Sequence, residues 1–271
     1  MNRPYAEVIG DPIAHSKSPL IHNFWAQKLG LDVDYRAQHV TPTGLGDYIA
    51  ARRSDPLWRG CNVTKPHKVA MLDHVEDPGN IRGSIGAMNT VARNESGLLF
   101  GTNTDVGGFY LPIADIALEG ASAIVIGAGG AARAVLFALA RSGIGDVTLL
   151  SRNPLAGAGL LAHFGIKGSV KPMTAALPTT AALLVNTTPL GMTGHDPLLI
   201  DLDPLDGDTL VYDLVYAPLE TKLVKAAQAR GLDAIGGLEM LIGQARIAFE
   251  LFFDAEPPQD CDDELRALLT Q

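Results

Sequence analysis

Short apolar runs closed by glycine or by polar clusters alternate along this chain with longer stretches whose apolar residues fall three and four apart. The first kind predicts strands and the second predicts helices. YAEVIG at 5–10 reads as a strand, DPIAHSKSP as the loop after it, and LIHNFWAQKLGL at 20–31 as a helix. VDYRAQHV at 33–40 predicts a second strand, GLGDYIAARRS at 44–54 a helix, and RGCNVT at 59–64 a third strand ending in a loop. Such alternation predicts a parallel sheet. Residues 83–113 are then rich in glycine and strand-like around a turn at 94–97, with a polar segment near 102–105. A domain boundary is expected just beyond it.

A second unit starts at Ala121. SAIVIGAGGAARAVLFALARSGIGDVTLLSRN predicts a buried strand, a glycine-rich turn, a helix and another buried strand. ALLVNTT (182–188), TLVYDLVY (209–216) and LDAIGG (232–237) predict further strands, with a helical pattern in LVKAAQARG between the last two. EMLIGQARIAFELFF (239–253) predicts an apolar helix that needs a partner to bury it, and the acidic, proline-bearing DAEPPQDCDDE leads to a short tail.

Composition narrows the function. With 271 residues, 47% of them hydrophobic and 19% charged, the chain has the makeup of a globular protein of one large or two modest domains. No apolar run approaches the ~20 residues of a membrane span, and the amino terminus lacks a signal-peptide pattern, so a cytoplasmic protein is expected. A formal net charge of −9 has the wrong sign for binding a phosphate backbone, which argues against nucleic acid. Cys61 and Cys261 stand far apart with no metal-ligand spacing, so neither a disulfide framework nor a metal site is expected.

In IVIGAGGAARAV, Gly127, Gly129 and Gly130 follow a buried strand and open a helix, and Ala132 fills the third position of a G-x-G-x-x-G/A fingerprint. Small residues there admit a pyrophosphate against exposed N–H groups at the positive helix end. About twenty residues on, an NAD site would carry an acid for the ribose hydroxyl. This chain has Ser151, Arg152 and Asn153, and a guanidinium suits a 2'-phosphate where a carboxylate would repel it. NADP is therefore expected.

The first ~105 residues place HSKSP, NVTKPHK, GAMNT and NTD near the ends of predicted strands, where open α/β sheets bind ligands. Ser16, Ser18, Thr64, Asn89 and Asp105 offer donors and acceptors for a small polyhydroxylated molecule. Lys68 and Asp105 form the candidate proton-transfer pair. Hydride leaving an alcohol carbon requires the hydroxyl proton to leave too, and a lysine brings both a proton and a charge that steadies an alkoxide. His67 is a competing base, but beside Lys68 it should point elsewhere. Lys65 and His67 are expected to be solvated or supporting neighbours.

These clusters resemble the shikimate dehydrogenase family over nearly the whole chain. The matching stretches are GDPIAHSKSPLIHN (10–23), NVTKPHK (62–68), GAMNT (86–90), NTD (103–105), GAGGAARA (127–134), NTTPLGM (186–192), DLVYAPLET (213–221) and GGLEMLIGQA (236–245). The resemblance implies reversible NADP-dependent reduction of 3-dehydroshikimate to shikimate, on the way to chorismate and the aromatic amino acids. It implies an α/β fold of two domains. Residues 1–105, with returning helices at 239–271, would form a mainly parallel substrate domain. Residues 106–238 would form a Rossmann-type NADP-binding domain, with the C-terminal helix packing back on the first.

By the same resemblance Ser16 and Ser18 would hold the substrate carboxylate. Thr64, Asn89, Asp105 and Gln244 would bind its hydroxyls with Tyr216 close by, and Lys68 would transfer the proton, paired with Asp105. Gly127, Ala128, Gly129, Gly130 and Ala131 would carry the pyrophosphate. Ser151, Arg152 and Asn153 would hold the adenosine phosphate, and Leu214 and Gly237 the nicotinamide end. No metal is implied, and a homodimer is one possible assembly.

The chain departs from the family at two places. SRNPLAG (151–157) lacks the second basic residue that often follows the family's Asn-Arg-Thr, which would weaken NADP preference, and Gly236 and Glu239 stand where Asp and Gly are more usual. A quinate/shikimate dehydrogenase or specialised relative is the nearest alternative. A non-catalytic NADP or shikimate sensor is a remote one, disfavoured because Lys68 and Asp105 are both present.

Overall fold

The computed structural model describes residues 3–270, and they form two compact units. The first contains the chain up to Thr104 and again from Ile242, and the second runs from Asp105 to Leu241.

In the first unit, β1 (Tyr5–Gly10), α1 (Ser18–Lys28), β2 (Asp34–His39), α2 (Leu45–Arg53) and β3 (Trp58–Val63) alternate as the apolar spacing predicts. A single-turn α3 (Ile81–Ser84) precedes β4 (Thr90–Arg93) and β5 (Leu99–Thr102). The sheet order is β2-β1-β3-β4-β5. β1 lies parallel to β2 and β3, while β4 and β5 close the sheet as an antiparallel hairpin. The strand order reverses between β1 and β3, so their carboxyl ends flank a crevice of the kind that binds ligands in open α/β sheets. DPIAHSKSP and TKPHK leave from those ends.

Polar contacts add to apolar packing in holding this sheet to its helices. Glu7, fully buried on β1, accepts bonds from Arg52 Nε (2.7 Å) and Nη2 (3.0 Å), from the Tyr48 hydroxyl (2.7 Å) and from Arg36 Nε (3.2 Å). Loss of Arg52 would leave the buried Glu7 charge to the more exposed Arg36 and the Tyr48 hydroxyl, so this fork fixes α2 against β1. On α1, Asn23 bonds the Tyr35 backbone twice, donating from Nδ2 to the carbonyl (2.7 Å) and accepting the N–H (3.0 Å). His22, next to it, stacks flat on the Tyr35 ring at 3.9 Å between centroids.

The second unit contains α4 (Asp105–Tyr110), β6 (Ser122–Ile126), α5 (Gly130–Arg141), β7 (Asp146–Leu150), α6 (Pro154–Phe164), β8 (Gly168–Lys171), β9 (Leu183–Asn186), β10 (Leu210–Asp213), α7 (Lys222–Ala229) and β11 (Ala234–Gly236). Its six strands are all parallel in the order β11-β10-β9-β6-β7-β8, the doubly wound order of a dinucleotide-binding fold. Asp105 falls with this unit rather than with residues 1–104 because it opens α4, whose Val106 and Phe109 join the core under β6.

α8 (Gly237–Phe253) starts two residues before the predicted Glu239, and the division between units lies inside it. Its later turns belong to the first unit, where Ala248 and Phe252 pack with Ala6, Val8, Tyr35 and Ala92. Approach is so close at β3 that a Cβ on Gly60 would stand 2.5 Å from the Phe252 ring and 2.4 Å from the Val91 carbonyl oxygen. Only glycine fits there. The segment that the apolar pattern reads as a short tail is a helix, α9 (Asp262–Leu269), in keeping with the returning helices implied for 239–271. Lys17 donates to the carbonyl of Leu269, and Lys28 pairs with Glu264 at 2.6 Å, so α9 lies along α1 and holds the serine loop. Three acids in its first turn favour the helix start, a signal masked by the proline-rich approach.

His22 has neither ring nitrogen hydrogen-bonded and is enclosed by Trp25 of its own helix, Tyr35 of β2, and Phe249 and Phe252 of α8. Burial lowers its pKa from 6.5 to about 3. The unfolded chain therefore takes up a proton below pH 6.5 that the folded one refuses. The stabilisation is complete above pH 6.5 and is lost as pH falls from there toward 3, at about 1.4 kcal/mol per pH unit. His22→Phe should flatten this acid limb, retaining about 2 kcal/mol more of its neutral-pH stability at pH 5 than the parent does, as urea denaturation at pH 7.5, 6 and 5 would measure.

Candidate active site

The substrate-side residues of the first unit gather through its backbone. At the end of β3, Val63 N–H donates to the Asn89 carbonyl (2.6 Å), and Met88 N–H donates to the Lys68 carbonyl (2.8 Å). These two bonds staple the loop bearing Thr64 and Lys68 alongside the segment bearing Asn89. Thr64 N–H also donates to Ile9 at 3.0 Å, which brings in the end of β1 and the loop that follows it. In that loop Ser16 is half-buried and Ser18 buried at the first turn of α1, and the Ser18 N–H donates to Ser16 Oγ at 3.3 Å.

Of the two expected roles, solvated or supporting neighbour, His67 takes the second. It is buried, and its Nε2 donates to the Val40 carbonyl at 2.7 Å, anchoring the loop beneath Lys68. Lys65 is exposed as expected, and Lys68 is half-buried. Residue types alone do not reveal that the histidine turns inward.

Beneath Asn89 runs a buried strip of amides and hydroxyls. The Tyr35 hydroxyl donates to Asn62 Oδ1 (2.6 Å), Asn62 Nδ2 donates to Thr90 Oγ1 (3.1 Å), and Thr90 Oγ1 donates to Asn89 Oδ1 (3.0 Å). The Thr104 N–H reaches the same Asn89 oxygen at 2.7 Å, while Asn89 Nδ2 donates to Thr104 Oγ1 at 2.9 Å. Two donors on one end and an acceptor on the other fix which way the Asn89 amide faces. Gln244, carried in by α8, has its Oε1 3.5 Å from Thr104 Oγ1. Asn62, Thr90 and Thr104 belong to stretches quoted from the sequence, yet their supporting role was not read there, because it depends on which strands lie side by side.

The second unit holds the other candidates. Asp105 is buried at the first position of α4, directly after Thr104. Tyr216 is half-buried, and burial pushes its phenol up. Leu214 and Gly237 meet closely: a Cβ on Gly237 would lie 2.3 Å from the Leu214 carbonyl oxygen. Asp213 anchors the loops here, accepting from Asn186 Nδ2 (2.8 Å), the Thr221 hydroxyl (2.6 Å) and the Val215 N–H (3.1 Å). Burial raises its pKa, opposed by these same donors. Gly236 ends β11 with room for a side chain, and Glu239 lies in the first turn of α8, where its charge suits the helix dipole.

The glycine turn has the shape a pyrophosphate needs. Gly127 sits at φ 109°, and a Cβ there would lie 2.6 Å from Thr187 Oγ1, so both conformation and space demand glycine. Gly129 faces open space, and no side chain caps α5, leaving its first N–H groups and positive end to an anion. Farther along, Ser151 is buried and its Oγ closes its own loop on the Asn153 backbone. Asn153 Oδ1 caps α6 through the Ala156 N–H at 3.1 Å. Arg152 alone of the three is a solvent-exposed cation. The residues present thus fit a dinucleotide carrying phosphate. Among the described residues no cluster of His, Cys, Asp or Glu has metal-binding geometry, and no helix is long and apolar enough to cross a membrane.

Residues 8–91 match the model of the shikimate dehydrogenase substrate binding domain, and residues 237–263 that of the shikimate 5'-dehydrogenase C-terminal domain. A shikimate dehydrogenase (NADP(+)) from Sphingopyxis alaskensis is 64% identical over 266 residues, spanning 98% of this chain and 97% of the relative. The chain belongs to the shikimate dehydrogenase family. Among solved shikimate dehydrogenases, the Thermus thermophilus enzyme in complex with NADP(H) and shikimate superposes with a TM-score of 0.86 at 35% identity, covering 98% of this chain and 99% of that one. Quinate dehydrogenase from Corynebacterium glutamicum, in complex with NAD, also gives 0.86, at 28% identity over 98% of this chain and 99% of that one. Proteins of this fold thus include a quinate dehydrogenase bound to NAD as well as a shikimate dehydrogenase bound to NADP(H) and shikimate.

The strip beneath Asn89 makes a specific demand. Thr90→Val keeps the shape but leaves the Asn62 amide and the Asn89 oxygen each short of a partner, and should cost about 1–3 kcal/mol. Thr90→Ser should recover most of that loss, as measured by chemical denaturation of the three proteins.

Proposed function

We infer that the chain catalyses the reversible NADPH-dependent reduction of 3-dehydroshikimate to shikimate, a step toward chorismate and the aromatic amino acids. It is an NADP-dependent oxidoreductase acting on a CH–OH group. The observation that carries this reading is 64% identity to an NADP-dependent shikimate dehydrogenase along 98% of the chain. The lysine loop stapled to Asn89 and the uncapped glycine turn are consistent with it.

In this reading the Ser16 and Ser18 hydroxyls hold the substrate carboxylate, and Thr64, Asn89, Asp105 and Gln244 hold its hydroxyls, with Tyr216 alongside. Gly127 to Ala131 hold the pyrophosphate, Ser151 to Asn153 the adenosine phosphate, and Leu214 and Gly237 the nicotinamide end. NADPH, when bound, supplies the hydride for the C3 carbonyl. Lys68 Nζ gives a proton to the carbonyl oxygen as negative charge gathers there, and in the reverse direction takes it back from the hydroxyl. Asp105 orients the ammonium and the substrate. The buried strip below Asn89 supports this set by holding one hydroxyl ligand in a single orientation. The protein is proposed to work in the cytoplasm, as a homodimer.

Lys68→Ala should lower kcat by about two to four orders of magnitude with a smaller effect on KM, the usual worth of general acid–base catalysis. A loss of tenfold or less would remove Lys68 from the role. Parallel assays with shikimate and quinate, each with NADP and NAD, test the substrate and cofactor. Highest kcat/KM for shikimate with NADP is expected, and comparable turnover of quinate would make the protein a dual-specificity enzyme instead.

A further inference from the structure

The loop after β7 offers a 2'-phosphate one guanidinium, and the sequence supplies no second cation through Gly157. A phosphate monoester carries about −1.5 to −2 charges at neutral pH, so Arg152 alone leaves it undercompensated. We propose that Lys171 is the missing cation: from the end of β8 it binds the 2'-phosphate of NADP together with Arg152. This rests on reading Ser151–Asn153 as the adenosine-phosphate loop.

Register puts Lys171 at that place. Leu150, the last residue of β7, pairs with Lys171, the last residue of β8, and the Ser151 N–H donates to the Lys171 carbonyl at 3.0 Å. Neighbouring strands lie about 4.8 Å apart, so Lys171 is rooted beside the base of the loop that presents Arg152. A lysine reaches from there as a point charge on a flexible four-carbon stem, which does not require the planar fit of a second arginine.

Charge points the same way. Lys171 is half-buried, yet neither it nor Arg152 has a side-chain hydrogen bond or ion-pair partner among the described residues. Between Asp146 and Asp196 the sequence contains no Asp or Glu at all, although the whole chain has 30 of them and a net charge of −9. That acid-free stretch supplies β7 after its first residue, the Arg152 loop, α6, β8 and β9. Two unpaired cations, one in the loop after β7 and one at the adjoining end of β8, both on a stretch of chain without carboxylates, favour a positive local field within an acidic protein, suited to an added dianion. NAD, with a hydroxyl in place of that phosphate, gains nothing from it.

Calorimetric titration of the full chain with adenosine 2',5'-bisphosphate and with 5'-AMP separates the phosphate from the rest of the nucleotide. Lys171→Met should weaken bisphosphate binding by about tenfold and leave 5'-AMP binding within about twofold. The difference should shrink as salt rises, and Lys171→Arg should retain parental affinity. The preference for NADP over NAD in kcat/KM should fall in parallel. Unchanged bisphosphate binding in Lys171→Met, or equal loss for both nucleotides, would overturn the proposal. Arg152→Ala tests the underlying reading separately: if bisphosphate binding survives that change intact, the loop is not the phosphate site, whatever Lys171 does.

Discussion

The Asn89 side chain is held at both ends, its oxygen by Thr90 and the Thr104 N–H and its nitrogen by Thr104 Oγ1, and the first unit is organised around that hold. Four separate stretches of chain meet in it. Asn62 comes from β3, Thr90 from β4, Thr104 from the end of the hairpin, and Tyr35 enters from β2 under the grip of His22 and Asn23. A buried amide without partners would cost more than it contributes, so such a network stabilises the fold only when every member is in place. Packing and site geometry are therefore a single constraint here. The tight approach of Phe252 to Gly60 serves the same end, because it seats the helix that brings in Gln244.

The second unit depends on a different device. Its parallel strands deliver a glycine turn whose backbone does the work: Gly127 at positive φ, Gly129 open to solvent, and a helix start with no capping side chain. Here binding capacity comes from N–H groups left unpaired at the helix end. Side chains do the sorting. Ser151 and Asn153 are committed to shaping their own loop and capping α6, which leaves Arg152 and Lys171 as the cations of the proposed phosphate site.

Much of this was legible in the sequence for a physical reason. Strand and helix periodicities, the glycine fingerprint and the clusters HSKSP, NVTKPHK and NTD are local patterns, and local backbone chemistry sets both the elements and the turns between them. The α9 helix falls within the returning helices that the family resemblance implies, but periodicity alone does not show it, because prolines at 257 and 258 disguise its approach and a short amphipathic helix draws most of its stability from the partner it packs on.

By itself the sequence determined the order of most elements and the anion-binding turn, which follow from residue type at short spacing, and its motifs along nearly the whole chain carried the resemblance to the family and its candidate acid–base pair. Tertiary structure alone decided that His67 points inward to Val40, that Tyr35 reaches Asn89 through Asn62 and Thr90, and that Lys171 is rooted beside Leu150 and Ser151. Those neighbours are distant along the chain, and only strand order and register bring them within reach of one another.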